Sequence, residues 1–159
     1  MPTKDIQLFE SGSGGEMLID NGDLSMTETL FQTIYLALFG GNREANTTGN
    51  ESSGDERFDW WGNSLLFSNT RSKQFNSNTE RALNNTTLNS RGRSVIETAV
   101  LSDLRFLNGI TDVSVDVAIL SSDNVQISIF LNQAENIAER QLQFVWSNAR
   151  NQVIIQRTI

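Results

Sequence analysis

The strongest constraint on the fold is an alternation of apolar residues in the C-terminal half of the chain. Two alternating runs flank the tetrapeptide Ser-Ser-Asp-Asn at 121–124, a pattern typical of a β-hairpin with one buried face. The apolar members of these runs are Val113, Val115, Val117, Ile119, Val125, Ile127, Ile129 and Leu131. Residues 142–146 (LQFVW) alternate in the same way and predict a third strand. A turn at 148–151 then leads to a β-branched fourth strand at 153–159.

A helical spacing of apolar residues precedes this predicted sheet. The run TETLFQTIYLALF (27–39) places its apolar residues on one helical face, and Gly40-Gly41 ends the helix. The residues of that face are Leu30, Phe31, Ile34, Tyr35 and Leu38. A capping box at Ser25–Glu28 is predicted to open the helix.

Two further helices are predicted before the sheet. Residues 77–88 form a short helix opened by Ser77 and Glu80. A second capping box at Ser94–Glu97 opens a longer helix, which Asn108-Gly109 ends. The residues that line one face of this helix are Ile96, Val100, Leu104 and Leu107.

The order of these segments predicts the architecture. Asn21-Gly22, between short apolar stretches, is typical of a type I′ turn and predicts a small N-terminal hairpin. The fold class is therefore α+β, with an N-terminal hairpin and helices packed on a C-terminal antiparallel sheet. At this length we expect one domain, 1–159, with a polar loop at 42–57.

The charge and the missing residue types exclude several functions. The net charge is −7, which disfavours nucleic-acid binding. The chain has no Cys and no His, so thiolate metal sites and a Ser-His-Asp mechanism are excluded. We expect no enzyme activity and no cofactor. The longest apolar run, 30–39, is too short to span a bilayer, and no signal peptide is visible, so we expect a soluble protein made in a cytoplasm, with no membrane contact.

A tryptophan pair ends the predicted polar loop, in the sequence FDWWGN at 58–63. One interpretation is a core plug, in which the loop end folds back and buries its indoles. The others are a sugar-stacking platform and a docking anchor for another protein. Adjacent residues of a regular element face different ways, so one Trp inward and one at a contact surface is a reasonable arrangement.

The last predicted strand, with the turn before it (residues 148–159), also has two interpretations. It is either a strand of the domain's own sheet or an edge or extended arm that adds to a sheet in a partner. Its terminal position, its Val and Ile content and its basic residues (Arg150, Arg157) favour the arm.

The order of motifs resembles the small baseplate wedge protein of Mu-like contractile-tailed bacteriophages. In that family, a helix ending in a Leu-Phe pair leads through an acidic loop to a Trp-Trp-Gly segment. The matching residues here are Thr33–Phe39, Asn42–Ala45 and Asp59–Asn63. The later helix and hairpin are similar to the second half of the family, so the resemblance covers most of 16–131. Asp59 departs from the small residue or glycine that the family tends to have.

The resemblance implies a structural protein of the virion, in the tail baseplate, that is made in the host cytoplasm. Proteins of this type are related to the sheath initiator, which joins wedge subunits around the tube to the first ring of sheath subunits. The implied partners are the tail sheath protein, other wedge proteins and tube or hub neighbours, with multiple copies in a sixfold baseplate. The predicted protein-interface residues are Phe58, Trp60, Trp61, Arg150, Val153, Ile154, Ile155 and Arg157.

Other functions remain open on the sequence. A carbohydrate- or cell-wall-binding module, or a lysozyme-like tail hydrolase, would use an exposed aromatic platform beside two carboxylates. A small acidic adaptor protein is a second alternative. A tail component elsewhere in the tube or tail terminator is a third.

Overall fold

The structure, a computed structural model, describes residues 3–9, 16–41, 61–67, 70, 73–132 and 140–159. Helices precede a four-stranded antiparallel sheet, which confirms the predicted α+β class. The chain divides into two compact units, Met1–Arg81 and Ala82–Ile159. A single domain over 1–159 therefore stays a prediction, and the predicted polar loop at 42–57 lies outside the described residues.

The first unit combines short strands with helices. Its elements are β1 (Lys4–Ile6), β2 (Leu8–Phe9), β3 (Glu16–Met17), β4 (Ile19–Asp20), β5 (Asp23–Leu24), β6 (Met26–Glu28), α1 (Thr29–Phe39), α2 (Trp61–Phe67) and the start of α3 (Asn78–Asn85). The strands pair antiparallel as β1 with β6, β2 with β3 and β4 with β5. Asn21 and Gly22 join β4 to β5 with φ of 51° and 83°. Because a type I′ turn needs positive φ at both positions, these angles confirm the predicted hairpin.

Helix α1 buries the predicted face except for Leu30, which is half-buried, and it ends where the sequence indicates. Ile34, Tyr35 and Leu38 have no exposed surface, and the helix stops at Phe39 before Gly40. The predicted capping box at Ser25–Glu28 is wrong. Residues 26–28 form β6 instead, and Glu28 at the N-cap makes no side-chain cap hydrogen bond. Because residues 26–28 pair with β1 and are extended, they cannot form the first helical turn that a capping box at Ser25 requires.

Helix α3 begins as predicted but ends at Asn85, three residues before the predicted end at 88, and the next helix begins a turn earlier than predicted. The Ser77 hydroxyl accepts a hydrogen bond from Glu80 N–H at 3.0 Å, as expected for the first residue before a helix. Helix α4 (Ser90–Asp103) is capped by Asn89, whose Oδ1 accepts from Gly92 N–H at 2.9 Å. The capping box at Ser94–Glu97 is therefore wrong, because Asn89 already satisfies an N-terminal amide of the helix.

The apolar face of this helix extends beyond its end. A 3₁₀ helix, Leu104–Leu107, continues α4, and Gly109 closes it with φ of 86°. The predicted face is buried along both helices: Ile96, Val100, Leu104 and Leu107 are each at most 2 % exposed. Within this unit, α4 packs against the first strand of the sheet.

The four predicted C-terminal strands are all present. They are β7 (Asp112–Ile119), β8 (Asn124–Asn132), β9 (Arg140–Ser147) and β10 (Gln152–Thr158), in the spatial order β10-β9-β8-β7. Val125, Trp146 and Val153 lie opposite one another on three adjacent strands, and each is at most 8 % exposed. The indole N–H of Trp146 donates to Asn148 Oδ1 at 2.8 Å, so this core residue leaves no donor unsatisfied.

Strand β10 contains a β-bulge that the sequence reading missed. Val153 pairs with Trp146, but the next paired residue is Ile155, opposite Val145, so Ile154 is the extra residue. After the bulge, Gln156 lies opposite the buried Phe144, on the core side of the sheet. The Oε1 atom of Gln156 is buried and has no hydrogen-bond partner in the described part of the chain.

Candidate protein-interaction surfaces

The glycine end of α1 is held by a buried amide from the tryptophan segment. Asn63 has no exposed surface, and its Nδ2 donates to the carbonyl oxygens of Gly40 (3.1 Å) and Phe75 (3.0 Å). Its Oδ1 accepts from Phe75 N–H at 2.8 Å. A Cβ added to Gly40 would lie 2.6 Å from the Phe75 Cβ, so only glycine allows this close approach.

The start of α3 completes the same cluster. Glu80 is 1 % exposed, and its Oε2 accepts from Gly41 N–H at 3.0 Å. Ser77 N–H donates to the Gly41 carbonyl at 2.5 Å, and the Ser77 hydroxyl donates to the Leu38 carbonyl. We call Gly40, Gly41, Asn63, Ser77 and Glu80 the α1 junction. The backbone groups that a helix end leaves unsatisfied are here bonded by the chain itself.

The α1 junction links the Gly40-Gly41 pair to the segment that contains Trp61, Gly62 and Asn63. The first segment ends a helix, and the second provides the amide that bonds its last carbonyl group. Gly62 and Asn63 are buried, whereas Trp61, the first residue of α2, is 44 % exposed. Trp61 therefore keeps almost half of its surface available for a partner. The predicted interface residues Phe58 and Trp60 lie outside the described residues.

A second surface is the outer edge of the C-terminal sheet, formed by β10. Ile154 is 39 % exposed and Ile155 is 46 % exposed, although both lie in a strand. Exposed apolar residues on a sheet edge are the usual signature of a strand that pairs with another chain. Val153 is buried in the core, so this one predicted interface residue serves the chain's own sheet.

The direction of the backbone groups at this edge follows from the pairing. Ile159 and Gln141 exchange both backbone hydrogen bonds, with N···O distances of 2.8 and 3.2 Å. In an antiparallel pair, residues alternate between bonding toward the neighbour and away from it. Arg157 and Ile155 therefore bond toward β9, while the N–H and C=O groups of Gln156 and Thr158 point to the open side.

The opposite edge of the sheet has a different character. Strand β7 carries Asp112, Ser114 and Asp116 as exposed residues and packs against α4. Charges on an edge strand oppose pairing with another chain. Within residues 82–159, β9 is the only described element with extensive contact to β10. Strand β10 has one charged residue, Arg157, and a bulge, whereas β7 has two carboxylates and fewer exposed apolar side chains, so β10 is the better suited of the two edges for pairing.

The predicted interface residues fall on separate parts of the chain. Trp61 belongs to the first compact unit, and Arg150, Ile154, Ile155 and Arg157 are exposed residues of the second. Arg150 lies in the turn before β10, and Arg157 Nε donates to Gln143 Oε1 on β9. This bond ties the Arg157 guanidinium to the neighbouring strand β9.

Sequence reasoning identified Gly40, Gly41, Ser77 and Glu80 as helix ends, but it missed their contact with one another, the role of Asn63 and the bulge. The signal for the bulge is present, since Val153, Ile154 and Ile155 are three consecutive apolar residues in a strand that should alternate. Asn63 gives no comparable signal. An asparagine in a polar, asparagine-rich chain reads as a loop residue, and only the tertiary structure shows that it is buried.

Comparison of the chain with known protein families, curated proteins and solved structures finds no significant match. Among the described residues, no helix combines the length and the apolar character needed to cross a bilayer. Nor do the described residues gather three or more metal-ligating side chains in one place.

Proposed function

We propose that this protein is a structural component of a contractile phage tail baseplate, of the wedge and sheath-initiator type. In this function it joins wedge subunits around the tube to the first ring of sheath subunits. The observation that carries the proposal is the open edge of β10, where unpaired backbone groups lie beside exposed isoleucines. The motif order of 33–63 supports the choice of family.

The proposed mechanism is β-augmentation of the chain's own sheet by a strand of the sheath protein. The outward N–H and C=O groups of Gln156 and Thr158 provide the hydrogen bonds. Ile154 and Ile155 lose exposed apolar surface when the partner strand arrives. Arg150 and Arg157 make the edge basic, although the whole chain has a net charge of −7, so an acidic partner segment is favoured.

The test is the seeding of sheath rings by this protein, using the sheath protein encoded near the same gene. Truncation after Ser147 would remove Val153 from its place opposite the buried Trp146, so loss of seeding could merely report unfolding. Thr158→Pro is sharper, because it removes one outward-facing donor and leaves the bonds to β9 in place. We expect Thr158→Pro to lower seeding at least about tenfold, which corresponds to about 1.4 kcal/mol.

Two matched variants define the result. Thr158→Ser keeps the backbone donor and should seed like the wild type. Arg157→Pro removes a donor that bonds to β9, so it should lower the melting temperature as well as the seeding. Wild-type seeding by a folded Thr158→Pro variant would refute pairing at this edge. If the wild type itself fails to bind sheath, the assignment to this class of protein is wrong.

A further inference from the structure

The first compact unit contains a groove that is separate from the β10 edge. It lies among β1, β2, β3, α1 and α2 and has a volume of about 220 Å³. Its apolar lining is formed by Ile6, Leu8, Met17, Leu36, Trp61 and Leu66. Among the described residues, Asp5 and Gln32 provide the polar part of the lining.

Gln32 gives the groove an unused hydrogen-bond donor. The residue is 2 % exposed, and its Oε1 accepts from Leu8 N–H at 3.1 Å. This bond fixes the orientation of the amide, since only the oxygen can accept from an N–H group. The Nε2 atom is buried and has no partner in the described part of the chain. Leaving such a donor unpaired is unfavourable, so an arriving acceptor would be bound strongly.

The rim of the groove is apolar and partly exposed. Trp61 is 44 % exposed, Met17 46 % and Leu66 60 %, and all three line the same space. Tryptophan beside a desolvated pocket is a common centre of protein–protein contacts. A volume of about 220 Å³ lies below the range of about 300–1,000 Å³ typical of small-molecule sites. The space therefore suits one large side chain better than a whole small ligand.

The charge around the groove favours a basic residue in the partner, next to the side chain that enters the groove. Asp5 lines the groove and is exposed. Glu16, which is also exposed, precedes the lining residue Met17. Among the described residues, no basic residue lines the groove. This surface therefore attracts a cationic partner and repels an acidic one.

We infer that the groove between β1 and α2 binds a peptide segment of a partner protein. The segment inserts one large apolar side chain, accepts a hydrogen bond from Gln32 Nε2 through a backbone carbonyl, and places a Lys or Arg beside Asp5. The inference depends on the groove alone and does not require the proposed baseplate function.

The test is selection of random dodecapeptides displayed on a library against the full chain, followed by affinity measurement of the selected peptides. We expect them to share a large apolar residue next to Lys or Arg. In the amide spectrum of the protein, the side-chain N–H₂ resonances of Gln32 should shift when such a peptide binds. A purely structural Gln32 would give no such shift.

Helix α2 offers a matched pair of control variants. Leu66 lines the groove and Leu65 does not, yet both are exposed leucines of the same helix. Leu66→Ser should weaken binding about tenfold, because the leucine loses its apolar contact with the peptide. Leu65→Ser should leave the affinity within about twofold of the wild type.

The polar residues are tested separately. Gln32→Met removes the donor at similar volume and should weaken binding about tenfold, with circular dichroism confirming the fold. Asp5→Asn keeps the acceptor for Ile6 N–H (2.8 Å) and should weaken binding about threefold, with a smaller dependence on salt.

Three results would overturn the inference. The first is a failure to select any peptide. The second is selection of peptides that bind Leu66→Ser as well as they bind Leu65→Ser. The third is a dimer in sedimentation that Leu66→Ser abolishes, since the occupant would then be a second copy of this chain.

Discussion

The α1 junction and the β10 edge both reverse the usual placement of residues, but they do so in opposite ways. At the α1 junction, polar groups are buried, with Asn63 and Glu80 at most 1 % exposed, and the chain itself provides their hydrogen bonds. At the β10 edge, apolar groups are exposed, and no described element covers Ile154 and Ile155. The first arrangement stabilises the isolated chain, whereas the second adds no such stability, because the exposed apolar surface remains in contact with water.

The largest effect should come from breaking the α1 junction. Asn63→Ala leaves the Phe75 N–H and the Gly40 and Phe75 carbonyl groups without their side-chain partner. We expect the free energy of unfolding to fall by about 3 kcal/mol, since each buried unpaired group costs about 1–3 kcal/mol. The melting temperature should fall by about 6–12 °C.

A conservative variant tests the two bonds donated by Asn63 Nδ2 separately from the bond accepted by its Oδ1. Asn63→Asp keeps the acceptor for Phe75 N–H but places a buried carboxylate oxygen against the Gly40 and Phe75 carbonyl oxygens, so it should melt no higher than the alanine variant. Asn132→Ala, at an exposed position, is the control and should change stability by less than about 0.5 kcal/mol. Wild-type melting of Asn63→Ala would show that the junction does not hold α1.

A smaller effect is expected at Trp61, whose side chain is partly buried and partly exposed. Trp61→Ala should lower the free energy of unfolding by about 1–2 kcal/mol, because only about half of this side chain is buried. If the exposed half contacts a wedge neighbour, tail yield should fall more than the melting curve predicts. A variant that melts normally and gives a normal yield of tails would remove Trp61 from the proposed interface.

The smallest stability effect should come from the β10 edge itself. Replacing Ile154 and Ile155 together by Thr keeps the β-branched shape and should change stability by less than about 1 kcal/mol, because both residues are exposed. Sheath seeding should nevertheless fall. Val153→Thr is the matched control. Because Val153 is buried, this change should lower the free energy of unfolding by about 1–2 kcal/mol. Equal destabilisation by both changes would mean that the edge is part of the core.

The sequence predicted the sheet well because its signal is local. Alternation at 113–131 and 142–146 places the same residues on the buried face that the structure buries, apart from Val113, Val115 and Ile119 on the edge strand β7, which are half-buried. The apolar faces of α1 and of the helix after Asn89 were found for the same reason. Both capping boxes failed. Their residues fit the motif, but Met26–Glu28 form a strand instead of the first turn of α1. Because Asn89 caps it, helix α4 begins at Ser90, four residues before the predicted cap at Ser94.

The residues that form the candidate interaction surfaces and the α1 junction could be predicted only in part. The exposed isoleucines and basic residues of 150–157 were identified from composition and position. The α1 junction depends on residues that are 39 and 23 positions apart in the chain, and no local pattern encodes such a contact. The groove donor at Gln32 has the same origin, because Leu8, whose N–H donates to Gln32 Oε1 and orients the amide, is 24 positions away.

The single extra residue at Ile154 also determines where the charge of β10 lies. In an unbroken register, Ile155 would face Phe144 and Arg157 would face the buried Leu142, which would force a guanidinium into the core. The bulge instead turns Arg157 to the outer face, opposite Gln143, and leaves the neutral Gln156 on the inner one. One inserted residue thus determines which side chain faces the core: the neutral amide of Gln156 lies on the inner face, and the charged Arg157 lies on the outer face.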